Sequence, residues 1–289
     1  MDEEQAKPEK KAINSKIAFE SVRGGTYDIW IMDSDGSNPI KITDGKGWSK
    51  YPSWSPDSKR IAFSSNRENT SSYKLYIVNN DGTDLHLVEG SIARIGVSSW
   101  SPDGTKIVFS TTICCRGKES DIYIIDSAGS KPVNITNTKD IDFEPDWSPD
   151  GRRIVFVTKH DEQKDLYVIN VDGTNRIRLT ETPFIEESPS WSPDGKKIAF
   201  DSNRDGISEI FVMDADGSNV VKVSQSNQKD IEPDWSPDGT KITFVSLRDG
   251  NREVYVMNAD GTDPQPLSNH KMLDDFPSWS PVIEIDAGE

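Results

Sequence analysis

The chain has 289 residues, of which 33% are hydrophobic, and its 33 Lys and Arg residues are outnumbered by 49 Asp and Glu residues, giving a net charge of -16. A field of that sign repels phosphate groups, so the composition argues against nucleic-acid binding and favours a cation or a basic partner. No apolar stretch approaches the roughly 18 residues that a membrane-spanning helix needs, and we expect no transmembrane segment.

The N-terminal stretch is charged and lacks an apolar pattern, so residues 1–14 are predicted to form a flexible charged tail. Its first residues, Met-Asp-Glu-Glu-Gln, do not resemble the start of a secretion signal. The two cysteines are neighbours, Cys114 and Cys115. Adjacent cysteines can bridge only through a strained ring, so they do not build a disulfide scaffold, and the sequence leaves open free loop thiols or a vicinal disulfide.

From residue 15 the chain is dominated by one repeated tetrapeptide, Trp-Ser-Pro-Asp. Five full copies begin at Trp54, Trp100, Trp147, Trp191 and Trp235, and a sixth begins at Trp279 with Val282 in place of Asp. Subtracting successive numbers gives spacings of 46, 47, 44, 44 and 44 residues. A fixed period in this range is the mark of a repeat architecture.

One repeat can be divided into four short strands. Residues 232–235 form the first, and Ser-Pro-Asp-Gly is a turn whose Pro presets the backbone angle. Residues 241–245 form the second strand and residues 253–257 the third, which is apolar enough to be buried on both faces. An Asp-Gly hairpin leads to a fourth strand that ends at Ser268. We predict that the Trp packs between neighbouring units.

Each of these elements occurs six times along the chain. The second strands begin at Ile17, Ile61, Ile107, Ile154, Ile198 and Ile242, and the third strands at Asp28, Lys74, Asp121, Asp165, Glu209 and Glu253. The sequence therefore predicts an all-β, six-bladed β-propeller with four antiparallel strands per blade over residues 15–282. Because the chain starts on a second strand, its last first strand, residues 277–279, should complete the N-terminal blade and close the ring. Residues 283–289 are predicted to be a polar tail, and a monomer is expected.

The repeat Glu-Pro-Asp-Trp-Ser-Pro-Asp-Gly-x-Lys-Ile-x-Phe, followed by an Asp-Ile-Tyr-Val-Met-Asp-type strand and Asp-Gly-Ser-Asn, resembles the TolB-type (WD40-like) propeller repeat. The resemblance covers residues 16–281, although the N-terminal α/β domain of TolB has no counterpart here. It implies a six-bladed propeller and a periplasmic, secreted or cell-surface location. Similar blades occur in the propeller domains of prolyl-oligopeptidase-type peptidases.

The residues just before the tryptophans are acidic in four blades. They are Asp142, Glu144, Glu186, Glu187, Asp230, Glu232, Asp274 and Asp275. Ser49-Lys50-Tyr51 and Ile95-Gly96-Val97 break this pattern in the other two blades. A partial ring of carboxylates around a channel could receive a basic group of a protein or peptide. It could also hold Ca²⁺ through Glu144 and Glu232, or its members could be hydrogen-bonded structural groups.

On the same face, three second strands lead into Arg67, Arg204 and Arg248, and Arg23 is the equivalent in the first blade. We expect these arginines to pair with the acidic segments of neighbouring blades, or else with a partner. The Asp-x-Asp-Gly turns at Asp33 and Asp214 place Gly at position four, where a calcium-binding EF-hand loop has it at position six. They are predicted to be turns.

The sequence contains no nucleophile elbow, no His-Glu-x-x-His and no phosphate-binding loop, and its three histidines fall in different repeat positions. We therefore expect a non-catalytic module that binds a protein or peptide at the acidic face, with no cofactor apart from the candidate calcium. Two alternatives stay open. One is the gating propeller of a prolyl-oligopeptidase-type peptidase, and the other is a glycan-acting enzyme that uses carboxylates at the channel mouth.

Overall fold

The computed structural model describes residues 15–68, 72–92, 94–111 and 120–281. These residues form 24 strands in six four-stranded antiparallel sheets, which confirms the predicted fold class. The innermost strands of all six sheets line one central channel. Within the described ranges, no segment forms a helix with the length and hydrophobicity that a bilayer crossing needs. Cys114 and Cys115 and both predicted tails lie outside these ranges.

We number the blades 1 to 6 by chain order of their second strands. From the channel outwards, the first strands are Asp274–Trp279, Ser49–Trp54, Ile95–Trp100, Ile141–Trp147, Glu186–Trp191 and Asp230–Trp235. The second strands are Lys16–Ser21, Arg60–Ser65, Lys106–Thr111, Arg153–His160, Lys197–Ser202 and Lys241–Ser246. The third strands are Asp28–Asp33, Lys74–Asn79, Ile122–Asp126, Gln163–Asn170, Glu209–Asp214 and Glu253–Asn258. The fourth strands are Ile40–Lys41, His86–Leu87, Val133–Asn134, Ile177–Arg178, Val221–Lys222 and Gln265–Pro266.

The second strands begin one residue before the predicted isoleucines, the closing strand begins at Asp274 rather than at residue 277, and two third strands begin elsewhere than predicted. The third strand of blade 3 begins at Ile122, one residue after the predicted Asp121. In blade 4 it begins at Gln163, two residues before the predicted Asp165, because the second and third strands continue pairing up to His160 and Gln163. Blade 4 therefore carries a longer hairpin on the face where the first strands begin.

The ring closes as the chain ends predicted. Asp274–Trp279 pairs antiparallel with Lys16–Ser21, with Ile17 opposite Trp279. Beyond the strand, the Lys16 amide donates to Ser280 Oγ at 2.8 Å, and the Ser280 amide donates to the Lys16 carbonyl at 2.7 Å. Blade 1 is thus built from both ends of the described chain, and the inner side of its second strand is paired as in the other blades.

The core consists of inter-blade layers rather than one central cluster, because the channel occupies the middle of the molecule. In one layer, Trp54 packs with Ala18 and Ile29 of blade 1 and with Ile61 and Phe63 of its own blade. The Trp54 indole Nε1 also donates to the Ser278 carbonyl of blade 1 at 3.1 Å. The prediction that each repeated Trp packs between neighbouring units is confirmed here.

The remainder of the tetrapeptide is a turn that satisfies its own polar groups. In blade 4, Ser148 Oγ donates to Asp150 Oδ1 at 2.6 Å and accepts from the Arg153 amide at 2.9 Å. The Asp-Gly hairpins also hold their own backbone, as when the Ser37 amide donates to Asp35 Oδ1 at 2.9 Å. Their prediction as turns is confirmed.

The glycine of these hairpins is needed for space as well as for backbone angle. Gly261 has φ of 87°, and a Cβ added there would lie 2.0 Å from the Val223 carbonyl oxygen of blade 5. The hairpin therefore abuts the backbone of the preceding blade, a contact that only glycine permits.

Candidate partner-binding site at the channel mouth

Each first strand carries a bulge just before its Trp. In blade 4, Phe143 pairs with Val157 and Asp146 with Val155, so Glu144 and Pro145 stand outside the ladder. Proline has no N–H to donate, which favours such a break, and Glu144 has a positive φ of 51°. The bulge directs the side chain three positions before each Trp into the channel.

These six side chains define what we call the channel mouth, around a cavity of about 130 Å³. In blade order they are Phe276, Tyr51, Val97, Glu144, Ser188 and Glu232. Blades 1 to 3 therefore give an apolar half, and blades 4 to 6 give a polar half with two carboxyl groups. The rings of Tyr51 and Phe276 meet edge to face, with centroids 4.6 Å apart.

The apolar half continues onto the surrounding face. Trp48 and Met272 lie in the segments that lead into the first strands of blades 2 and 1, and they are 48% and 39% exposed. Trp48 contacts Tyr27 with centroids 5.3 Å apart, and Lys50 Nζ lies 3.7 Å from the Tyr27 ring centroid. Exposed aromatic and methionine side chains beside a cavity are typical of a surface that contacts another protein.

The two carboxyl groups of the polar half are bound to the neighbouring blade. Glu144 Oε2 accepts from the Ser188 amide at 2.8 Å, and Glu232 Oε2 accepts from the Phe276 amide at 2.9 Å. Burial, reinforced by the charge of Glu187, raises the pKa of Glu144 to about 8. Burial and the nearby Asp275 raise the pKa of Glu232 well above its ordinary value. Near neutral pH Glu144 can therefore hold a proton, and burial also favours the protonated form of Glu232.

Two further acids tie the blades in the same way, and sequence reasoning missed them. Asp201 Oδ1 accepts from the Glu232 amide at 3.4 Å, and Glu20 Oε2 accepts from the Tyr51 amide at 3.3 Å. Both lie on second strands and are buried, and burial raises the pKa of each to about 7. The sequence signal that could have identified Glu20 and Asp201 is an acidic residue inside an otherwise apolar strand.

Glu187 and Asp275 occupy equivalent places beside these acids. Glu187 lies opposite Asp201 in the blade 5 ladder, and Asp275 lies opposite Glu20 in blade 1. Each is paired with a base of the preceding blade: Lys164 contacts Glu187, and Arg252 Nη1 lies 2.7 Å from Asp275 Oδ2. The same arrangement of acids and one base thus occurs at two places around the mouth.

A second ring lies deeper in the channel, at the position before each Trp. Asp146 accepts from Ser99 Oγ at 2.9 Å and from the Trp191 amide at 2.8 Å, so it joins blades 3, 4 and 5. Asp234 accepts from Ser190 Oγ at 3.0 Å and from the Trp279 amide at 2.7 Å. Burial raises the pKa of Asp146 to about 6 and that of Asp234 to about 7.

The four outermost predicted acids do not reach the mouth. Asp142, Glu186, Asp230 and Asp274 are fully buried inside their blades. Arg176, Arg204, Arg248 and Arg23, respectively, bind them. The predicted pairing with neighbouring blades is wrong for Arg23, Arg204 and Arg248, because each arginine bonds the first strand of its own blade. It is also wrong for Arg67, which pairs with Asp44 in the segment that leads into its own first strand.

Stacking explains why these arginines stay within their blades. The Arg248 guanidinium lies 5.6 Å from the Phe244 ring centroid and 4.7 Å from that of Tyr255, on the second and third strands. Arg176 occupies the same place in blade 4, over Phe156 and Tyr167, although it comes from the segment before the fourth strand. Its different repeat position hid it from the sequence pattern.

The predicted calcium site at Glu144 and Glu232 stays a prediction. Among the residues that the structure describes, no group of three or more His, Cys, Asp or Glu side chains is placed to hold a metal ion. If the mouth binds calcium with useful affinity, 1 mM CaCl₂ should raise the thermal unfolding midpoint relative to 1 mM EDTA, because a ligand selective for the folded state stabilises it. Equal midpoints would exclude the site, and MgCl₂ serves as the control.

The sequence profile of the TolB beta propeller domain (PD40) matches residues 66–284. The chain belongs to this family. The Tol-Pal system protein TolB of Bordetella pertussis is 38% identical over 52 residues, which are 18% of this chain and 12% of that protein. The match to this curated relative thus spans far less than two thirds of its length.

Solved structures agree on the fold. TolB from Acinetobacter baumannii superposes with a TM-score of 0.80 and 24% identity, covering 92% of this chain and 67% of that one. A putative TolB from Agrobacterium tumefaciens gives 0.74 and 23%, covering 94% of this chain and 100% of that one. At these sequence identities the structural likeness shows the fold alone.

Proposed function

We propose that this TolB-type propeller is a non-catalytic module that binds a protein or peptide at its channel mouth. The observation that supports this is the division of the mouth into an apolar half, with Tyr51 and Phe276, and a carboxyl half, with Glu144 and Glu232. Such a mouth suits a basic side chain whose hydrocarbon stem lies on the aromatic rings while its charged end reaches the carboxyl groups. Trp48 and Met272 would then contact residues that flank this side chain.

The protonation of the carboxyl groups makes the proposal specific. Burial favours their neutral form, whereas a guanidinium or ammonium group placed against them favours the ionised form. Binding of a basic side chain should therefore release protons from Glu144 and Glu232 near neutral pH. A purely apolar ligand would leave them protonated.

The test uses short synthetic peptides, each with one Arg or Lys next to a Leu or Phe, measured by fluorescence anisotropy. The double variant Glu144→Gln/Glu232→Gln keeps the side-chain shape but removes both charges, and Tyr51→Ala removes the aromatic wall. We expect each to weaken the best peptide about tenfold, which corresponds to roughly 1.4 kcal/mol of binding free energy. Calorimetry in two buffers of different ionisation enthalpy should detect the proton release.

The matched control is Glu162→Gln, which removes an exposed carboxylate at the tip of the long blade 4 hairpin on the same face. It should leave the affinity unchanged. Asp142 and Asp230 are unsuitable targets, since both are buried and removing either would leave a partly buried arginine without its carboxylate. Equal affinity of the wild type and the Glu144→Gln/Glu232→Gln variant would refute the proposal.

Family membership also supports an extracytoplasmic location, whether periplasmic, secreted or on the cell surface, and a protein rather than a nucleic acid as the partner. Fractionation of cells that produce the full reading frame would decide the location. A peptidase-gating propeller would be indicated by a hydrolase domain in the same reading frame.

A glycan-acting enzyme is the weaker alternative, because Glu144, Glu232, Asp146 and Asp234 all bond backbone amides of neighbouring blades. Catalytic carboxyl pairs occupy distinct environments, whereas these repeat from blade to blade. A screen of polysaccharide cleavage would settle the point, and turnover that is lost in Glu144→Gln would favour the enzyme.

A further inference from the structure

Two arginines at the starts of second strands cover tryptophans of the next blade. Arg60 of blade 2 has its guanidinium carbon 4.9 Å from the ring centroid of Trp100 in blade 3. Arg153 of blade 4 lies 4.9 Å from the ring centroid of Trp191 in blade 5. Both contacts lie on the face opposite the mouth, where the Ser-Pro-Asp turns are. Cation–π contact of this kind is favourable, and guanidinium groups make it more often than ammonium groups.

The other four blades carry lysine at this repeat position, and in blades 3 and 5 this lysine binds an aspartate of its own blade. Lys106 Nζ lies 2.6 Å from Asp126 Oδ1 and Lys197 Nζ lies 2.9 Å from Asp214 Oδ1, with side chains 48% and 49% exposed. Each of these aspartates ends the third strand of the same blade. The place that Arg60 and Arg153 occupy is therefore left open beside Trp147 and Trp235.

Both open places are clefts between blades. The 3/4 cleft has a volume of about 510 Å³ and is lined by Trp147, Ile124, Ile135 and Val171. The 5/6 cleft has a volume of about 580 Å³ and is lined by the corresponding Trp235, Val212, Val223 and Ala259.

The rims of both clefts combine an exposed apolar side chain with carboxylates and one lysine, Lys106 or Lys197, which is paired with an aspartate of its own blade. Val133 borders the 3/4 cleft and Val221 the 5/6 cleft, and at 62% and 57% they are the two most exposed large hydrophobic residues in the described part of the chain. Asp103 and Asp150 border the first cleft, and Asp194 and Asp238 border the second. An isolated cleft with acidic and apolar edges complements a basic group beside an apolar one.

We propose that the 3/4 and 5/6 clefts are paired docking sites for arginine side chains of a partner protein. The chain itself shows the bound arrangement, because Arg60 lies over Trp100 and directly follows the turn that contains Asp57. A guest guanidinium would lie in the same way over Trp147 beside Asp103, and over Trp235 beside Asp194. An apolar residue next to the guest arginine would cover Val133 or Val221. The net charge of -16 attracts such a partner.

This surface is independent of the channel mouth, since it lies on the opposite face. It also offers two equivalent sites two blades apart, so that a partner with two suitably spaced arginines would bind more tightly than one with a single arginine.

The test is NMR of the ¹⁵N-labelled protein, in which every Trp gives one indole N–H signal. The probes are N-acetyl-arginine amide and, for comparison, N-acetyl-lysine amide. We expect the arginine probe to shift the signals of Trp147 and Trp235 in a saturable manner while those of Trp100 and Trp191 stay in place. The lysine probe should bind about tenfold more weakly.

Exchange of Lys and Arg supplies matched variants that keep charge and fold. Lys106→Arg should fill the 3/4 cleft and abolish the response of Trp147 alone, and Lys197→Arg should do so for Trp235. Arg60→Lys should open a new site and make Trp100 respond. Thermal midpoints and peptide binding at the mouth should stay near those of the wild type in each variant. The proposal would be overturned if the indole signals of Trp147 and Trp235 did not shift, if they shifted equally with both probes, or if the Trp147 signal still shifted in Lys106→Arg.

Discussion

A chain that ends at Leu273 should lose the cooperative unfolding transition of the full chain. The deletion removes the first strand of blade 1, so the backbone of Lys16–Ser21 loses its inner partner. It also removes Trp279 from the layer that contains Ile17 and Phe19. Loss of one buried aromatic side chain costs about 3–5 kcal/mol, against a total stability of about 5–15 kcal/mol, and here a whole strand is lost. Circular dichroism on heating and size-exclusion chromatography are the measurements.

A chain that ends at Pro281 is the matched control, since it keeps the closing strand and both hydrogen bonds between Lys16 and Ser280. It should unfold like the full chain. The thermal stability of the Trp279→Ala variant should lie between those of the two truncated chains, because the substitution removes the side chain and leaves the strand. A chain ending at Leu273 that remained monomeric and melted at the full-chain temperature would contradict the closure described here.

The unfolding free energy should fall as the pH rises from about 5 to 8.5. Burial raises the pKa of Glu144 to about 8 and those of Glu20, Asp201 and Asp234 to about 7. Between the unfolded pKa and these values, the folded state binds more protons than the unfolded state, so each unit of pH removes stability. One unit of pKa shift corresponds to about 1.4 kcal/mol, so the effect should amount to several kcal/mol.

Urea unfolding at pH 5.5, 7 and 8.5 measures this slope. Glu144→Gln and Asp201→Asn keep the side-chain shape but do not titrate, so each should flatten the profile and raise the stability at pH 8.5. Glu162→Gln, at an exposed position, should leave the slope unchanged. A wild-type stability that increased towards pH 8.5 would show that these groups are ionised in the folded protein.

The architecture follows from the sequence because its signals are repeated. Five copies of Trp-Ser-Pro-Asp are each followed by the same turn and strands, and they determine five blades. The sixth copy, at Trp279, supplies the first strand that completes blade 1 and closes the ring. The third strand of blade 4 was predicted less well, because its pairing continues to Gln163 through polar residues that carry no apolar pattern.

The site was less accessible to sequence reasoning, because it depends on which way side chains point. Asp142 and Glu144 are two residues apart, yet the bulge sends Glu144 into the channel while Asp142 stays inside the blade. Arg176 and Asp201 contribute from positions where other repeats carry different residues. In the sequence, the two halves of the mouth appeared only as two blades without acidic residues before the Trp. The structure adds that the rings of Tyr51 and Phe276 form an aromatic wall in the apolar half.

The closing strand also bears on how fast the molecule can form. Most contacts within a blade join residues close in sequence, but the bond from the Lys16 amide to Ser280 Oγ joins residues 264 positions apart. Pairing two residues so far apart costs a large amount of chain entropy, because the loop between them must be closed. Folding becomes slower as contacts become more distant in sequence. Blades 2 to 6 can each assemble from one continuous segment of the chain, whereas blade 1 needs segments from both ends of the chain. Its completion should therefore be the slow, final step of refolding.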